Sequence, residues 1–476
     1  MKEISLGTYN NRQKQKNYQS LKKNEERNTG KKKKFVFLFS FAFVFILGAI
    51  YFLYASFLKD FLYGNECING ECSRGGGLFG SLISEPDLRK TDNLTNALLV
   101  GIDTRDDQPG LLNTDTIIVI TYDHSKGNVF MTSLPRDLYV KIPTTRPYSS
   151  RINSVYSQGV FDADHDKGME YLIQVVEEIT GLDIHYHAML NFEGFLKIID
   201  EVGGVNVCVE NEFSGQYPKG LGWQTVYFKE GCQEMDGDSA LKYARTRYST
   251  NPVEASDFAR AKRQQKVIIA TKDKLMKIEN FLNPLRLSEF IQIVGGNIQL
   301  SSYNQEDIRA GIKVLQSFEN SDIINLVLDP NIAGGSLIRT IPGDAYLLGP
   351  SSGNWKQVHD FVLAVIETPE LLQEDRKIYV YNGGGKVGGA GEVVNKIKEN
   401  PLLNAWIAGN TTARNHEGIK IYDFSGGNSN ATINALKPIL ENAELINEIP
   451  EEVENWYNED IVIIVGQEVV KELLVD

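Results

Sequence analysis

Four short segments gather arginine and aspartate in a pattern that suits phosphate chemistry. They are Val100-Gly-Ile-Asp-Thr-Arg105, Asn113-Thr-Asp-Thr116 and Ser133-Leu-Pro-Arg-Asp137, then a longer stretch. That stretch runs from Ala244-Arg-Thr-Arg247 through Asp257-Phe-Ala-Arg260 to Arg263 and Gln264. Guanidinium forks match phosphate oxygens two at a time. Paired carboxylates such as Asp103 and Asp115 suit magnesium, which takes a few carboxylates and fills its remaining positions with water and substrate phosphate. Arg260 and Gln264 are four residues apart, on one helix face, so both can reach one ligand, with Arg263 beside them. Singly, each residue has a plainer reading. Arg245 and Arg247 could be a solvated patch, Arg136 and Asp137 a local ion pair, Asp103 and Asp115 turn or cap residues. As a set they point to a site for a pyrophosphate and a divalent metal.

Other catalytic templates are missing from the sequence. There is no Gly-x-x-x-x-Gly-Lys-Ser/Thr loop, no His-Glu-x-x-His and no Gly-x-Ser-x-Gly elbow. The stretch Gly383-Gly-Gly-Lys-Val-Gly-Gly389 has valine where a phosphate loop needs Ser or Thr, and reads as a strand-to-helix turn. His185 and His187 alternate as on a strand and read as structural.

The elements that must position these residues alternate between short apolar strands and amphipathic helices. Ala97 to Gly101, Thr116 to Tyr122 and Asn128 to Ser133 read as strands, and Val205 to Val209 as another. Gly168 to Thr180, Phe192 to Val202, Asp238 to Arg245 and Phe258 to Leu275 read as helices. Several motif residues fall at strand ends, where α/β sheets place ligands. The expected fold is α/β, a mixed central sheet flanked by helices over residues 93–345. Residues 346–374 read as a linker helix. Residues 375–470 read as a second, small α/β domain, with strands at Lys377 to Tyr381, Ile419 to Phe424 and Ile461 to Val465.

The amino-terminal part reads differently. Residues 1–34 hold eleven Lys/Arg against three Glu and are nearly free of apolar side chains, so a disordered basic head is expected. Phe35 to Leu58 carries no charge. As a helix it would span roughly 36 Å, enough for a hydrocarbon core of about 30 Å. The adjoining run Lys31 to Lys34 and the aromatics Tyr51, Phe52 and Tyr54 suit a single-pass transmembrane helix with its amino terminus in the cytoplasm. Residues 59–92 read as a stalk, and all that follows the helix would lie outside the membrane. The net charge of −13 argues against a dedicated nucleic-acid binder. The four cysteines all fall beyond the apolar run, where an oxidising compartment favours disulfides. Three pairings are open; neighbours in sequence favour Cys67 with Cys72 and Cys208 with Cys232.

The segments at 97–105, 113–116, 133–137, 203–209 and 236–264 resemble, in order and spacing, the LytR-CpsA-Psr family of cell-wall polymer ligases. Residues 375–470 resemble the LytR-type domain often appended to that family, with a Val-Tyr-Asn-Gly opening and an Asp460-Ile-Val-Ile-Ile-Val-Gly466 closing strand. The resemblance implies a phosphotransferase that moves a glycopolymer, teichoic acid or capsule, from a polyprenyl-pyrophosphate carrier onto a peptidoglycan sugar hydroxyl. It implies that Asp103 and Asp115 hold Mg²⁺ (or Mn²⁺). It implies that Arg136, Arg245, Arg247 and Arg260 with Gln264 grip the phosphates, with Arg263 beside them and Arg105 and Asp137 in matching positions. Asp103 is the candidate base. The lipid tail is expected in an apolar tunnel, and the Cys208–Cys232 pair resembles a disulfide of some members. One departure is that many members have Arg-Ser-Asp-Thr where this chain has Asn113-Thr-Asp-Thr116. It removes a positive charge that Arg105 or Arg151 could replace. The rival readings are a polyprenyl-pyrophosphate hydrolase and a non-enzymatic wall-polymer-binding or regulatory membrane protein.

Overall fold

A computed structural model gives the fold and describes residues 87–105, 108–219, 222–277, 295–302, 305–332, 337–343, 345–384, 387–446 and 460–467. The basic head, the apolar run 35–58, most of the stalk and the Cys67–Cys72 pair lie outside the described residues. Among the described residues no helix is long and apolar enough to cross a membrane.

In chain order the strands begin with β1 (Leu94–Arg105), β2 (Gln108–Asp123) and β3 (Val129–Ser133), then the hairpin β4 (Tyr139–Ile142) and β5 (Tyr148–Arg151). Helices α1 (Val155–Asp162) and α2 (His165–Thr180) lead to β6 (Tyr186–Asn191) and α3 (Phe192–Glu201). Next come β7 (Val205–Val209), the hairpin β8 (Phe213–Lys219) and β9 (Gly222–Phe228), and β10 (Gly231–Met235). Helices α4 (Gly237–Arg245) and α5 (Asp257–Met276) precede β11 (Ile298–Leu300), α6 (Gln305–Ser317) and β12 (Ile323–Val327). The central sheet has the order β11-β6-β1-β2-β3-β12. Its β1–β2, β2–β3 and β6–β11 pairs are antiparallel, while β1–β6 and β3–β12 are parallel. It is therefore a mixed sheet, as expected.

Both faces of that sheet are covered, and the strands read accordingly as continuous apolar runs rather than half-polar ones. Leu98, Val100, Ile117 and Val119 turn to one core with α2 residues Leu172, Val175 and Ile179. Leu99, Ile118 and Ile120 turn to the other with Ile198, Ile199, Ala244 and Val267 from α3, α4 and α5. Successive side chains of one strand thus feed two layers of helix. The strands β1 and β2 run several residues past the apolar stretches legible in the sequence, because their ladder continues through polar residues as far as the Arg105–Gln108 pair. The folded chain also begins earlier than Asn93, since Leu88 is buried in the second core.

The segment after β12 is more than a linker. Strands β13 (Ile338–Thr340) and β14 (Leu348–Pro350) form a two-stranded strap. Helix α7 (Lys356–Glu367) buries Val358, Phe361, Val362, Val365 and Ile366 in the core that also holds α2. The short α8 (Pro369–Glu374) follows. Residues beyond it form a second sheet from β15 (Lys377–Asn382), β16 (Asn404–Asn410), β17 (Ile419–Asp423), β18 (Ala443–Ile446) and β19 (Ile461–Val465), in the order β16-β15-β19-β17-β18. Helices α9 (Gly389–Ile397) and α10 (Asn430–Ile439) pack on it. The Gly383–Gly384 turn is forced by space. Gly384 has a φ of 129°, and a Cβ there would fall 1.7 Å from the Arg414 carbonyl oxygen.

Candidate active site

The site forms where the ends of β1, β2 and β3 meet the start of α5. The β1–β2 ladder slips register between Gly101 and Ile102 and again between Asp103 and Arg105. Such bulges re-aim side chains. Gly101 allows the close approach there, because a Cβ at that position would meet Thr116 Cβ at 2.9 Å. Asp103 comes from the end of β1 and Asp115 from the facing part of β2. Arg136 and Asp137 follow β3 through Pro135. Arg245 ends α4 and Arg247 lies just after it. Helix α5 is started by Ser256, whose side chain accepts from the Ala259 amide, with Asp257 in its first turn. It is fastened to the sheet by Gln265, whose Nε2 donates to the Met131 and Leu326 carbonyls at 2.8 and 3.1 Å.

Asp115 is the hub. Arg136 Nη1 donates to both of its carboxylate oxygens at 3.1 Å, Arg247 Nη2 donates at 2.8 Å and Asn153 Nδ2 at 3.3 Å. Asp257 forms a second node. Its carboxylate lies 2.8 Å from Arg260 Nη1, 3.5 Å from Arg136 Nε and 3.6 Å from Arg247 Nε. Asp137 sits 2.9 Å from Arg151 Nε and 3.6 Å from Arg136 Nε. Arg245 Nη2 reaches Asp103 at 3.4 Å, while its guanidinium lies over the Phe192 ring at 3.7 Å. Among the described residues five guanidiniums thus face four carboxylates.

Several of these charges are close without being well bonded. Arg136 Nε, Arg151 Nε, Arg260 Nη1 and Asp257 Oδ1 are buried and make no aligned hydrogen bond. Buried groups in that condition are exceptional and call for an explanation. Burial alone would push the Asp115 carboxyl up, but Arg136, Arg247 and Arg260 outweigh it and hold Asp115 below the ordinary carboxylate value. Burial dominates at Asp137, with help from Asp257, and raises that carboxyl. Burial beside Arg247 and Arg136 drops the Arg260 guanidinium to about 10. Crowded guanidiniums that repel one another in a dry place are poised for an anion.

A polar cleft of about 390 Å³ opens on the cluster, lined by Asp103, Asp115, Arg245, Arg247, Arg260 and Gln264. The β8–β9 hairpin contributes Gln216, Pro218 and Trp223. Behind it lies a narrow apolar cavity of about 90 Å³, walled by Leu99, Leu190, Phe195, Ile198, Leu241 and Val267. The two share Gly101, Thr116, Phe192, Arg245 and Gln264 as common lining.

Most residues singled out in the sequence therefore come together. Arg136 and Asp137 do so one step back, behind Asp115 and not in the cleft lining. The Arg105 side chain lies outside the described residues. Arg263 is placed differently from the expectation. It is 1% exposed, with Nε donating to the Tyr243 carbonyl at 3.0 Å and Nη1 to Glu254 Oε2 at 2.7 Å. Its Nη2 donates to the Thr246 carbonyl. Being three residues from Arg260 and one from Gln264 turns it toward protein, so it is a strut beneath the loop that carries Arg247. Asn153 was not named in the sequence, while Asp257 was quoted in its motif without a role and Arg151 only as a replacement for the missing charge; the structure sets all three at the cluster. Asp257 had a signal, since it stands three before Arg260 at the start of the same helix; Asn153 had none. His185 is structural, as read, with Nδ1 accepting from the Asn96 amide at 3.0 Å. Cys208 and Cys232 face each other across the β7–β10 ladder and are bonded.

Residues 80–333 match the family described as LytR_cpsA_psr. One relative is a polyisoprenyl-teichoic acid–peptidoglycan teichoic acid transferase, TagU, of Oceanobacillus iheyensis. It is 33% identical over 224 residues, covering 45% of this chain and 63% of that protein. Another is the regulatory protein MsrR of Staphylococcus aureus, 32% identical over 230 residues, covering 47% of this chain and 62% of that one. This chain thus spans less than two thirds of the length of those relatives. Among solved structures, Bacillus subtilis TagV aligns over 58% of this chain and 99% of its own, with a TM-score of 0.45 and 22% identity. Since the family match takes in more than half of the sequence and every segment of the arginine–aspartate cluster, the chain belongs to the LytR_cpsA_psr family.

Proposed function

We propose that this protein transfers an anionic glycopolymer from a polyprenyl-pyrophosphate carrier to a sugar hydroxyl of peptidoglycan, forming a phosphodiester. The observation that carries the reading is the junction of two unlike cavities. One is almost wholly apolar and one is lined with guanidiniums and carboxylates, and Arg245 and Gln264 line both. An anionic head with the first part of an apolar tail matches that pairing of a charged cleft and an apolar cavity. The relatives named as teichoic acid transferases support the same reading.

In this reading Arg245, Arg247 and Arg260 with Gln264 bind the pyrophosphate oxygens. Arg136 acts through Asp115, holding the carboxylate in place. The acceptor oxygen attacks the sugar-bearing phosphorus, the bond to the bridging oxygen breaks, and polyprenyl phosphate leaves. Phosphoryl transfer of this kind needs alignment and charge neutralisation more than covalent help. Among the described residues the cluster holds one more guanidinium than carboxylates, too little for a pyrophosphate dianion. Asp103 and Asp115, lining one cleft, fit Mg²⁺ or Mn²⁺, which takes its remaining ligands from phosphate and water. That ion would supply the missing positive charge. Asp103 is the candidate acceptor of the hydroxyl proton. The chain would work at the outer face of the cytoplasmic membrane, held by the apolar run 35–58, with the Cys67–Cys72 disulfide outside the membrane as well. The carboxy-terminal sheet is read as the appended LytR-type domain.

The test incubates the full chain in detergent with a synthetic polyprenyl-pyrophosphate glycan, peptidoglycan fragments and Mg²⁺, and reads products by mass spectrometry. A glycan-phosphate-peptidoglycan adduct, lost with EDTA and with Arg247→Ala, is expected. Glycan phosphate released without adduct would make the protein a hydrolase. No turnover despite lipid binding would point to the cost of Asn113 and to a binding role.

A further inference from the structure

A second cleft lies outside the site, between the β4 edge of the β4–β5 hairpin, the β13–β14 strap and the start of α7. It offers about 630 Å³, more room than the cleft on the arginine–aspartate cluster. Lys141, Arg339 and Lys356 line it together with the aromatics Tyr139 and Trp355. Lys141 and Arg339 are exposed, and among the described residues neither has a carboxylate within ion-pair distance. Lys356 is held by Asp360, 2.7 Å away, outside the groove lining. Glu178 is an acid that also lines it. The hairpin 139–151 carries Lys141, Arg146 and Arg151 and no acid. In a chain of net charge −13 that is a local reversal of sign.

The groove is also joined to the candidate active site. Tyr139 pairs with Arg151 across the β4–β5 ladder, so both project from the same face. Arg151 Nε lies 2.9 Å from Asp137, and its Nη2 donates to the Tyr346 carbonyl at 3.4 Å. The Leu348 amide donates to the Asp137 carbonyl at 3.0 Å. Hairpin and strap are thus both fastened to the segment that bears Arg136 and Asp137.

We propose that this groove is a second subsite, holding a phosphodiester-linked stretch of the glycopolymer while its reducing end is in the active site. The two exposed cations Lys141 and Arg339 take successive phosphates, and Tyr139 and Trp355 offer ring faces to the intervening sugar or polyol. The inference rests on the reading of the chain as a transferase for an anionic polymer, but its test does not need turnover.

The experiment measures binding of lipid-free poly(glycerol phosphate) to the full chain in detergent at low and high salt, with a neutral dextran of similar length as control. The double variant Lys141→Ala, Arg339→Ala is expected to bind the polyphosphate roughly five- to tenfold more weakly at low salt, the sum of two exposed ion pairs. The difference should shrink at high salt, as screening demands. Dextran binding should not change, and thermal melting reports whether the variant is folded. Lys141→Arg, Arg339→Lys should bind like the parent. Unchanged polyphosphate affinity in a folded double variant overturns the proposal. So does a variant that loses binding to phosphatidylglycerol vesicles but keeps the polymer, since the cations then serve a lipid surface. Loss of polymer binding with adduct formation intact on a single-unit donor supports both readings. Loss of polymer binding in a protein that makes no adduct supports the groove and removes the transferase.

Discussion

Two arginines on one helix meet opposite fates. Arg263, behind the cleft, is nearly inaccessible, and its three nitrogens all donate to protein oxygens. Arg260, one turn earlier, is almost as buried, yet its Nη1 lies beside Asp257 without an aligned hydrogen bond. The first arrangement is complete and holds a loop. The second is charged, dry and incomplete, and so has capacity left for an anion. Satisfaction of hydrogen bonds, more than burial or residue type, separates Arg263 from Arg260.

The comparison can be broken most easily at the strut. Arg263→Ala leaves Glu254 without its partner in a buried site, and a loss of roughly 3–5 kcal/mol is expected in chemical denaturation. Pairing Arg263→Met with Glu254→Gln should recover part of it, because no uncompensated charge then remains. An Arg263→Ala variant as stable as the parent would show that the node is dispensable.

Arg136→Ala should do the reverse. Transfer is expected to fall on the order of 100-fold, the scale on which misplacing a positioned group by about an ångström costs rate, because Arg136 orients Asp115. Stability should change by only about 1 kcal/mol, since Arg247 and Asn153 still hold Asp115. A large stability loss with activity retained per folded molecule would erase the contrast with Arg263. The buttress behind α5 offers a third comparison. The Cys208–Cys232 bond closes a segment with a separation of 24 residues, and Cys208→Ser, Cys232→Ser should cost about 3 kcal/mol in denaturation. The cleft should be left unaltered, so turnover per folded molecule should hold.

The smallest effect concerns pH. Asp115 is held below its ordinary value, so its ionised form favours the folded state. That contribution is complete above the unfolded carboxylate value of about 3.9 and is lost as pH falls through the lower folded value. Arg136→Ala removes a large part of what lowers it, so acid unfolding should begin at higher pH than in the parent. An acid midpoint that does not move would mean that Arg136 contributes little at Asp115.

The sequence by itself determined the family, the mixed α/β core and most of the site's membership. Short apolar runs bounded by turn residues and rich in β-branched side chains favour buried strands, and the arginine and aspartate motifs near their ends point to one site only when taken as a set. It also determined the four-residue spacing that puts Arg260 and Gln264 on one cleft. Only the tertiary structure decided that Arg263 faces away, because a helical position one place along points toward a different neighbour, here the Tyr243 and Thr246 carbonyls. It alone brought in Asn153, just past the β4–β5 hairpin, and set Arg151 against Asp137. It alone showed that α7 belongs to the core, and that β4 and the β13–β14 strap enclose a basic groove. Those contacts join residues some two hundred positions apart, as Arg151 and Tyr346 are. Local periodicity carries no term for such distances; packing of the whole chain does.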